Sequence, residues 1–327
     1  MLRKKVNFIM GAQAGHEGVG DAAAYLVSKY QLDVVTAYSA TFPWPEHSAI
    51  ANGKTVRTRQ IPVSIHGHTF AVAFFGPGST ISLEDLQEDL AEMSPECCAV
   101  DAQALVVEDI NGRPQAASAG SHDILKNDLR LVKPDVRDLL LDALKSGATI
   151  LCEVYGGFDR CSIHGVGIRG AEEPTRYHKP VNPLAAMAEL GLPQRYLGHV
   201  YGVFEPTIRW RGFESLPSDL YADSEILGTV PASHDSEDPQ EIAFDFSFDR
   251  IQKFIQVCDP DLLYLSSAEL LDPRVAKVRK YKDLPDSVTG LISQIESRTA
   301  KAVAFVGAGR SILDRKIDRM GLDTRRY

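Results

Sequence analysis

Ten residues near the start of the chain constrain its fold most. Gly11-Ala12-Gln13-Ala14-Gly15-His16-Glu17-Gly18-Val19-Gly20 places four glycines between an apolar run at residues 6–10 and an Ala-rich stretch at residues 21–30. The apolar run is short and continuous, as in a buried strand, and the Ala-rich stretch has helical spacing. A second apolar, β-branched run covers residues 32–38. Strand, turn, helix and strand at this length form a βαβ unit, which favours a parallel sheet. A glycine turn at that junction leaves backbone N–H groups at a helix N-terminus, a geometry that binds phosphate. The same turn also suits plain packing of helix on sheet. Neither common nucleotide fingerprint applies. Val19 and Asp21 stand where a Walker A loop needs cations, and the glycine spacing is not GxGxxG.

The rest of the chain continues the alternation. Strands are expected at residues 55–62 and 69–75, around the turn His66-Gly67-His68. After Gly76-Pro77-Gly78-Ser79, a helix is expected at 82–93 with Ser82 as its N-cap and Asp85 three residues on. Further strands are expected at 103–109, 149–155, 198–204, 262–266 and 302–306, and helices at 134–146, 182–191, 248–258 and 285–299. Residues 233–240 read as a polar loop. No internal repeat or linker interrupts the 327 residues. The expected architecture is α/β: a largely parallel central sheet flanked by helices, with peripheral excursions, as one domain over residues 1–327.

Composition narrows the function. Hydrophobic residues at 44% and charged residues at 24% match a globular chain and exclude a disordered one. A net charge of −9 argues against a general binder of nucleic acid or anionic membranes. No apolar run approaches the ~20 residues of a membrane helix. The basic, then apolar start reads as a first strand rather than a signal peptide, so the expected location is cytoplasmic. Five scattered cysteines, Cys97, Cys98, Cys152, Cys161 and Cys258, form no CxxC pair and read as reduced, buried thiols without a zinc site.

The opening motif resembles that of the adenylosuccinate synthetase family, Gly-Ala-Gln-Trp-Gly-Asp-Glu-Gly-Lys-Gly. Other segments resemble the family in the same order. They are residues 47–54 from His47; Gln60-Ile61-Pro62; Gly76-Pro77-Gly78 with the helix after it; residues 153–157; His164-Gly165; Leu216-Pro217-Ser218-Asp219-Leu220; and Asp283-Leu284-Pro285. The length is close to that of the shorter, archaeal-type members. The resemblance implies a P-loop-related fold and joining of the aspartate amino group to carbon 6 of inosine monophosphate. It implies GTP and Mg²⁺, a 6-phosphoryl intermediate, and a homodimer. Such chemistry needs a base, an acid, an ion to offset phosphate charge, and cations for the aspartate carboxylates.

Carried over position by position, the resemblance makes His47 the catalytic acid and places His16 at the family's base and metal-binding Asp. A neutral imidazole accepts a proton but is a poor Mg²⁺ ligand; His16 and Glu46 are the candidate ligands. Val19 replaces the glycine-loop Lys. Gly15, Glu17, Gly18, Val19 and Gly20 would face the triphosphate, with Glu17 supporting the loop. Gly307, Gly309 and Arg310 fall at the second nucleotide-contacting turn. Trp44 replaces an Asn, and Gly156 the Gln that holds the substrate nucleotide. Ser267-Ala268-Glu269 stands for the guanine-reading Lys-Leu-Asp, so Ser267 and Glu269 allow GTP or ATP. The aspartate-gripping loop falls near residues 233–240, which hold His234, Asp235, Glu237 and Asp238 and no Arg.

Losing one transition-state contact costs ~3 kcal/mol, or about a hundredfold in rate. Several such losses would end synthetase activity unless other groups compensate. Arg209 and Arg211 are the substrate-side candidates, with Arg160, Arg169 and Arg176 nearby in sequence; as ordinary surface charges they would do nothing. Viral relatives acting on deoxyguanylate offer a second acceptor, and a non-catalytic nucleotide sensor is the third reading. Trp44 and Trp210 suit purine stacking or plain packing. His66, His68 and residues 235–238 read as solvated surface rather than metal sites.

Overall fold

The computed structural model describes residues 5–15, 17–30, 32, 34–39, 47–51, 54–62, 72–76, 79–92, 98–101, 105–110, 113–116, 132–133, 135–161, 180–210, 225–230, 241–308 and 316–319. β1 (Val6–Gly11) leads through the glycine turn into α1 (Val19–Tyr30) and β2 (Val34–Ser39). β3 (His47–Ala51) and β4 (Lys54–Thr58) form an antiparallel pair. β5 (Val72–Phe75), β6 (Thr80–Ser82), α2 (Leu83–Glu92), β7 (Cys98–Asp101), β8 (Leu105–Ile110), β9 (Arg113–Ala116) and β10 (Val132–Lys133) follow. Then come α3 (Val136–Ser146), β11 (Ile150–Gly157), α4 (Pro183–Glu189) and β12 (Leu197–Phe204). β13 (Ile208–Trp210), β14 (Ile226–Val230) and β15 (Glu241–Phe244) make a separate antiparallel sheet. The chain closes with α5 (Phe248–Cys258), β16 (Leu262–Leu265), α6 (Asp286–Thr299), β17 (Val303–Gly307) and β18 (Lys316–Asp318).

Among the described residues the main sheet has ten strands, in the order β10-β7-β5-β2-β11-β1-β12-β16-β17-β18. Nine run parallel, and only the edge strand β18 is antiparallel to its neighbour. β1 lies at its centre and is buried along its whole length. Strand alternation sends Val6, Phe8 and Met10 into one core, with residues of α3, α4, α5 and α6. Ile9 points into the other core, with residues of α1 and α2. Both faces of the sheet are covered, which is why its strands are continuously apolar.

Local signals set most boundaries. The Ser82 hydroxyl accepts the Asp85 N–H at 3.3 Å, as expected of an N-cap. Asn182 and Ser247 cap α4 and α5 in the same way. Gly147 ends α3 at φ 103°. α1 starts at Val19, two residues earlier than the Ala-rich stretch suggests. One expectation fails. The strand at 55–62 does not turn back on the one at 69–75: β4 pairs with β3, while β5 enters the main sheet between β2 and β7. The β5 sequence Val-Ala-Phe-Phe is apolar on both faces, which suits a buried parallel strand rather than a half-solvated hairpin. His66, His68 and the loop at 233–240 lie outside the described residues.

Cys152, Cys161 and Cys258 are buried, whereas Cys97 lies outside the described residues and Cys98 is described only as backbone. Among the described residues no helix is long and apolar enough to cross a membrane.

An ion pair fixes α5 to the end of β11. Asp159 is fully buried, and Arg250 reaches it with Nε at 2.7 Å and also with Nη2. Removing one partner of such a pair leaves a buried charge, at a cost of about 3–5 kcal/mol. Asp159→Ala is therefore expected to lower unfolding stability by about 4 kcal/mol in urea titrations, with the midpoint falling and the slope unchanged.

Candidate functional site

In a parallel sheet the carboxyl ends of neighbouring strands share one edge. On that edge β1 ends at Gly11, β11 at Gly157, β12 at Phe204, β16 at Leu265 and β17 at Gly307. β11 lies on one side of β1 and β12 on the other, so the chain changes halves of the sheet here. Ligands of open α/β sheets bind at such a switch point. The glycine turn occupies it.

Neighbouring strands hold the turn in shape. The Ala12 N–H donates to the Val203 carbonyl at 2.8 Å. Gln13 forms a two-way pair with the Glu205 backbone: its Nε2 donates to the carbonyl at 3.1 Å, and its Oε1 accepts the N–H at 2.8 Å. The Asp159 N–H donates to the Gln13 carbonyl at 3.0 Å. On the β11 side Gly157 is pressed against the turn. A Cβ there would stand 2.1 Å from the Gln13 oxygen and 2.2 Å from the Gly15 nitrogen, so only glycine fits. Gly156 has φ 93°, a conformation a side chain such as Gln would strain. A Gln at this position, which the resemblance expects, would carry that strain.

Glu17 is buried beneath the turn. Its Oε1 accepts the Gly15 N–H at 2.8 Å. Its Oε2 has no hydrogen-bond partner among the described residues and faces Gly11, where a Cβ would come within 2.3 Å of it. Burial pushes the carboxyl up to about 7; hydrogen bonds from the Gly15 and Glu17 backbone N–H groups pull it down, and the charges of Glu205 and Asp159 add smaller upward contributions. A second buried carboxylate, Glu205, follows β12. It accepts Arg209 Nε at 3.0 Å and Nη2 at 2.8 Å, and the Ser267 hydroxyl at 2.7 Å.

The expected site residues separate into three groups. Gly15, Glu17, Gly18, Val19 and Gly20 lie in the turn and the first residues of α1; Gly156, Arg209, Ser267, Glu269 and Gly307 lie in or just after strands reaching the same region of the fold. Val19 is buried and belongs to the same core as Ile9, Ala22 and Ala23, with a methyl group near Gly11. Arg209 is held by Glu205, so part of its charge is already neutralised. Ser267 sits at φ 47° with its hydroxyl on Glu205. His47 opens β3, with its backbone paired to Thr58, and Cα atoms of β3 come within 8 Å of those of α1. Its side chain, together with His16, Trp44, Glu46, Arg211, Gly309 and Arg310, lies outside what is described. Arg160 is described only as backbone, and Arg169 and Arg176 are outside the described residues.

Gln13, Asp159, Glu205 and Ser266 escaped the sequence reading. The available signal was a polar residue immediately after a buried strand, as in Phe204-Glu205 and Leu265-Ser266. Among the described residues no group of three His, Cys, Asp or Glu side chains could hold a metal ion. Mg²⁺ at phosphates takes only one or two protein carboxylates and draws its other ligands from phosphate and water, and the candidates His16 and Glu46 fall outside the described residues.

No protein-family model matches the chain. Curated relatives do. An adenylosuccinate synthetase of Pyrococcus horikoshii is 22% identical over 340 residues, spanning 95% of this chain and 97% of the relative. One of Thermococcus onnurineus is 24% identical over 345 residues, spanning 95% and 97%. The N6-succino-2-amino-2'-deoxyadenylate synthase of Vibrio phage phiVC8 is 24% identical over 309 residues, spanning 83% and 88%. Two solved structures share the fold. The cyanophage S-2L succinoaminodeoxyadenylate synthetase, bound to dGMP and to dATP as an energy donor, matches with a TM-score of 0.72 and 19% identity, covering 95% of each chain. The fully ligated adenylosuccinate synthetase of Plasmodium falciparum matches with a TM-score of 0.78 and 12% identity, covering 96% of this chain and all of the other. Adenylosuccinate synthetases thus align along nearly the full length of this chain, and solved synthetases share its fold.

Proposed function

We propose that this protein is a ligase that forms a C–N bond at carbon 6 of a purine monophosphate, driven by GTP or ATP with Mg²⁺. The observation that carries this reading is the glycine turn at the switch point of the sheet, clamped by β11, β12 and β16, where the backbone N–H groups of an opening helix await phosphate. The family relatives supply the reaction class. In this reading the start of α1 holds the triphosphate through amide donors and the helix dipole, without the lysine that Val19 replaces. His47 gives a proton to the departing oxygen and His16 takes one from the purine. His16 and Glu46 are the residues that would help hold Mg²⁺, which would offset the triphosphate charge. The amine donor is aspartate, as in the family; the arginine-free segment at 233–240 makes a different donor the first variation to test. Two copies of the chain pair, which light scattering checks.

A second acceptor has its own support. Ser267 and Glu269 stand where the resemblance places the guanine reader, and the Ser267 hydroxyl is engaged by Glu205. The cyanophage structure carries dGMP and dATP, and the phiVC8 relative is named for a 2-amino-2'-deoxyadenylate product. Deoxyguanylate with ATP is therefore the alternative substrate pair.

Purified protein with Mg²⁺, aspartate, GTP or ATP, and inosinate or deoxyguanylate tests both. Turnover is read as a change in purine absorbance with matching phosphate release. Nucleotide binding without turnover for any pair would leave a sensor instead. His47→Ala is expected to lower kcat by about 10²–10⁴-fold, the range for one general acid, with triphosphate affinity retained. Val19→Lys is expected to destabilise the fold by roughly 2 kcal/mol, because a buried valine contributes about that much; a denaturant midpoint equal to wild type would contradict its place in the core.

A further inference from the structure

We propose that Ser266 is a positioning residue that locks the phosphate-facing turn to the segment facing the base; the proposal rests on the nucleotide reading above. Ser266 is buried at the carboxyl end of β16. Its hydroxyl oxygen lies 2.5 Å from the Glu17 carbonyl and 3.0 Å from that of Phe204. A serine hydroxyl has one proton to give. The Phe204 carbonyl already receives the Ser266 N–H at 2.9 Å. The Glu17 contact is the shorter by half an ångström, so the hydroxyl proton goes to Glu17, which is 249 residues away in sequence.

The consequence follows from peptide planarity. The Glu17 carbonyl and the Gly18 N–H belong to one planar, trans unit and point in opposite directions. Fastening that carbonyl to Ser266 turns the Gly18 N–H away from β16, one residue before α1 begins. The contact is close as well as polar: a Cβ on Gly18 would lie 3.7 Å from that of Ser266. The residue after Ser266 makes the opposite attachment, from the Ser267 hydroxyl to Glu205 at 2.7 Å. Glu205 is itself joined to Gln13 of the turn. The segment carrying Ser267 and Glu269 and the turn carrying Gly15 to Gly18 thus form one bracket. Altering Ser266 would then loosen the phosphate-facing turn at its attachment to β16.

Amide hydrogen exchange of residues 11–20 in wild type, Ser266→Ala and Ser266→Thr reads the lock directly. Equilibrium binding of Mg-ATP, Mg-GTP, inosinate and deoxyguanylate reads its effect on ligands. In Ser266→Ala, exchange in the turn should rise and the Kd for both triphosphates should increase about tenfold, the scale of one buried hydrogen bond. Monophosphate affinity and exchange in the core strands should stay as in wild type, and Ser266→Thr, which keeps the hydroxyl, should restore the turn. Unchanged exchange at 11–20 in Ser266→Ala would overturn the proposal, as would a loss shared equally by every ligand and by the core strands. Wild-type protein that binds neither ATP nor GTP would sink the nucleotide reading instead, while the exchange comparison would still decide whether Ser266 holds the turn.

Discussion

The contact between Gly157 and the backbone of Gln13 to Gly15 is the constraint on which the rest of the site depends. The end of β11 comes so near the turn that no side chain fits between them. That closeness lets β11 meet the turn from one side while β12 supports it from the other through Val203 and Glu205. The turn is shaped by backbone and amide bonds from strands distant in sequence, and little by its own residues. A phosphate-binding surface made of N–H groups needs such outside support, because its donors must stay aimed when no ligand satisfies them.

Against that frame of amides, the charges are arranged unusually for a site that handles phosphates. Glu17, Glu205 and Asp159 are all buried around the turn. Two of them are neutralised by arginine, Glu205 by Arg209 and Asp159 by Arg250. Burial raises the third, Glu17, toward neutrality. The negative charge that would repel a triphosphate is thereby reduced without any lysine in the turn. The arginines are committed to this internal balance, which is why Arg209 cannot be counted simply as a spare cation for substrate.

The backbone of this arrangement was legible in the sequence because it follows from short-range rules. Four glycines between an apolar run and an Ala-rich stretch announce β1 and α1, and Ser82, Gly147 and Asn182 mark helix ends by their own chemistry. Strand pairing was not legible where it depends on partners far along the chain. The apolar β5 sequence marks a buried strand, but nothing in residues 55–75 names its neighbours β2 and β7 or tells β4 to join β3. Likewise Val19 reads as a lost cation by position in the motif and as a core residue only when α1 is seen against the sheet. Gln13, Glu205 and Ser266 matter through hydrogen bonds spanning about two hundred residues or more, which no local pattern encodes.

Lys29 joins the far end of α1 to the last described strand. Its ammonium lies 5.5 Å from the Tyr25 ring centre, 5.7 Å from that of Tyr30 and 5.1 Å from that of Phe305, and it pairs with Asp318 of β18. The helix that opens at the glycine turn is therefore anchored at its other extremity by an aromatic nest and a carboxylate from the antiparallel edge. Loss of β18 would leave that ammonium among rings without the Asp318 carboxylate, so the far end of α1 depends on the antiparallel edge strand.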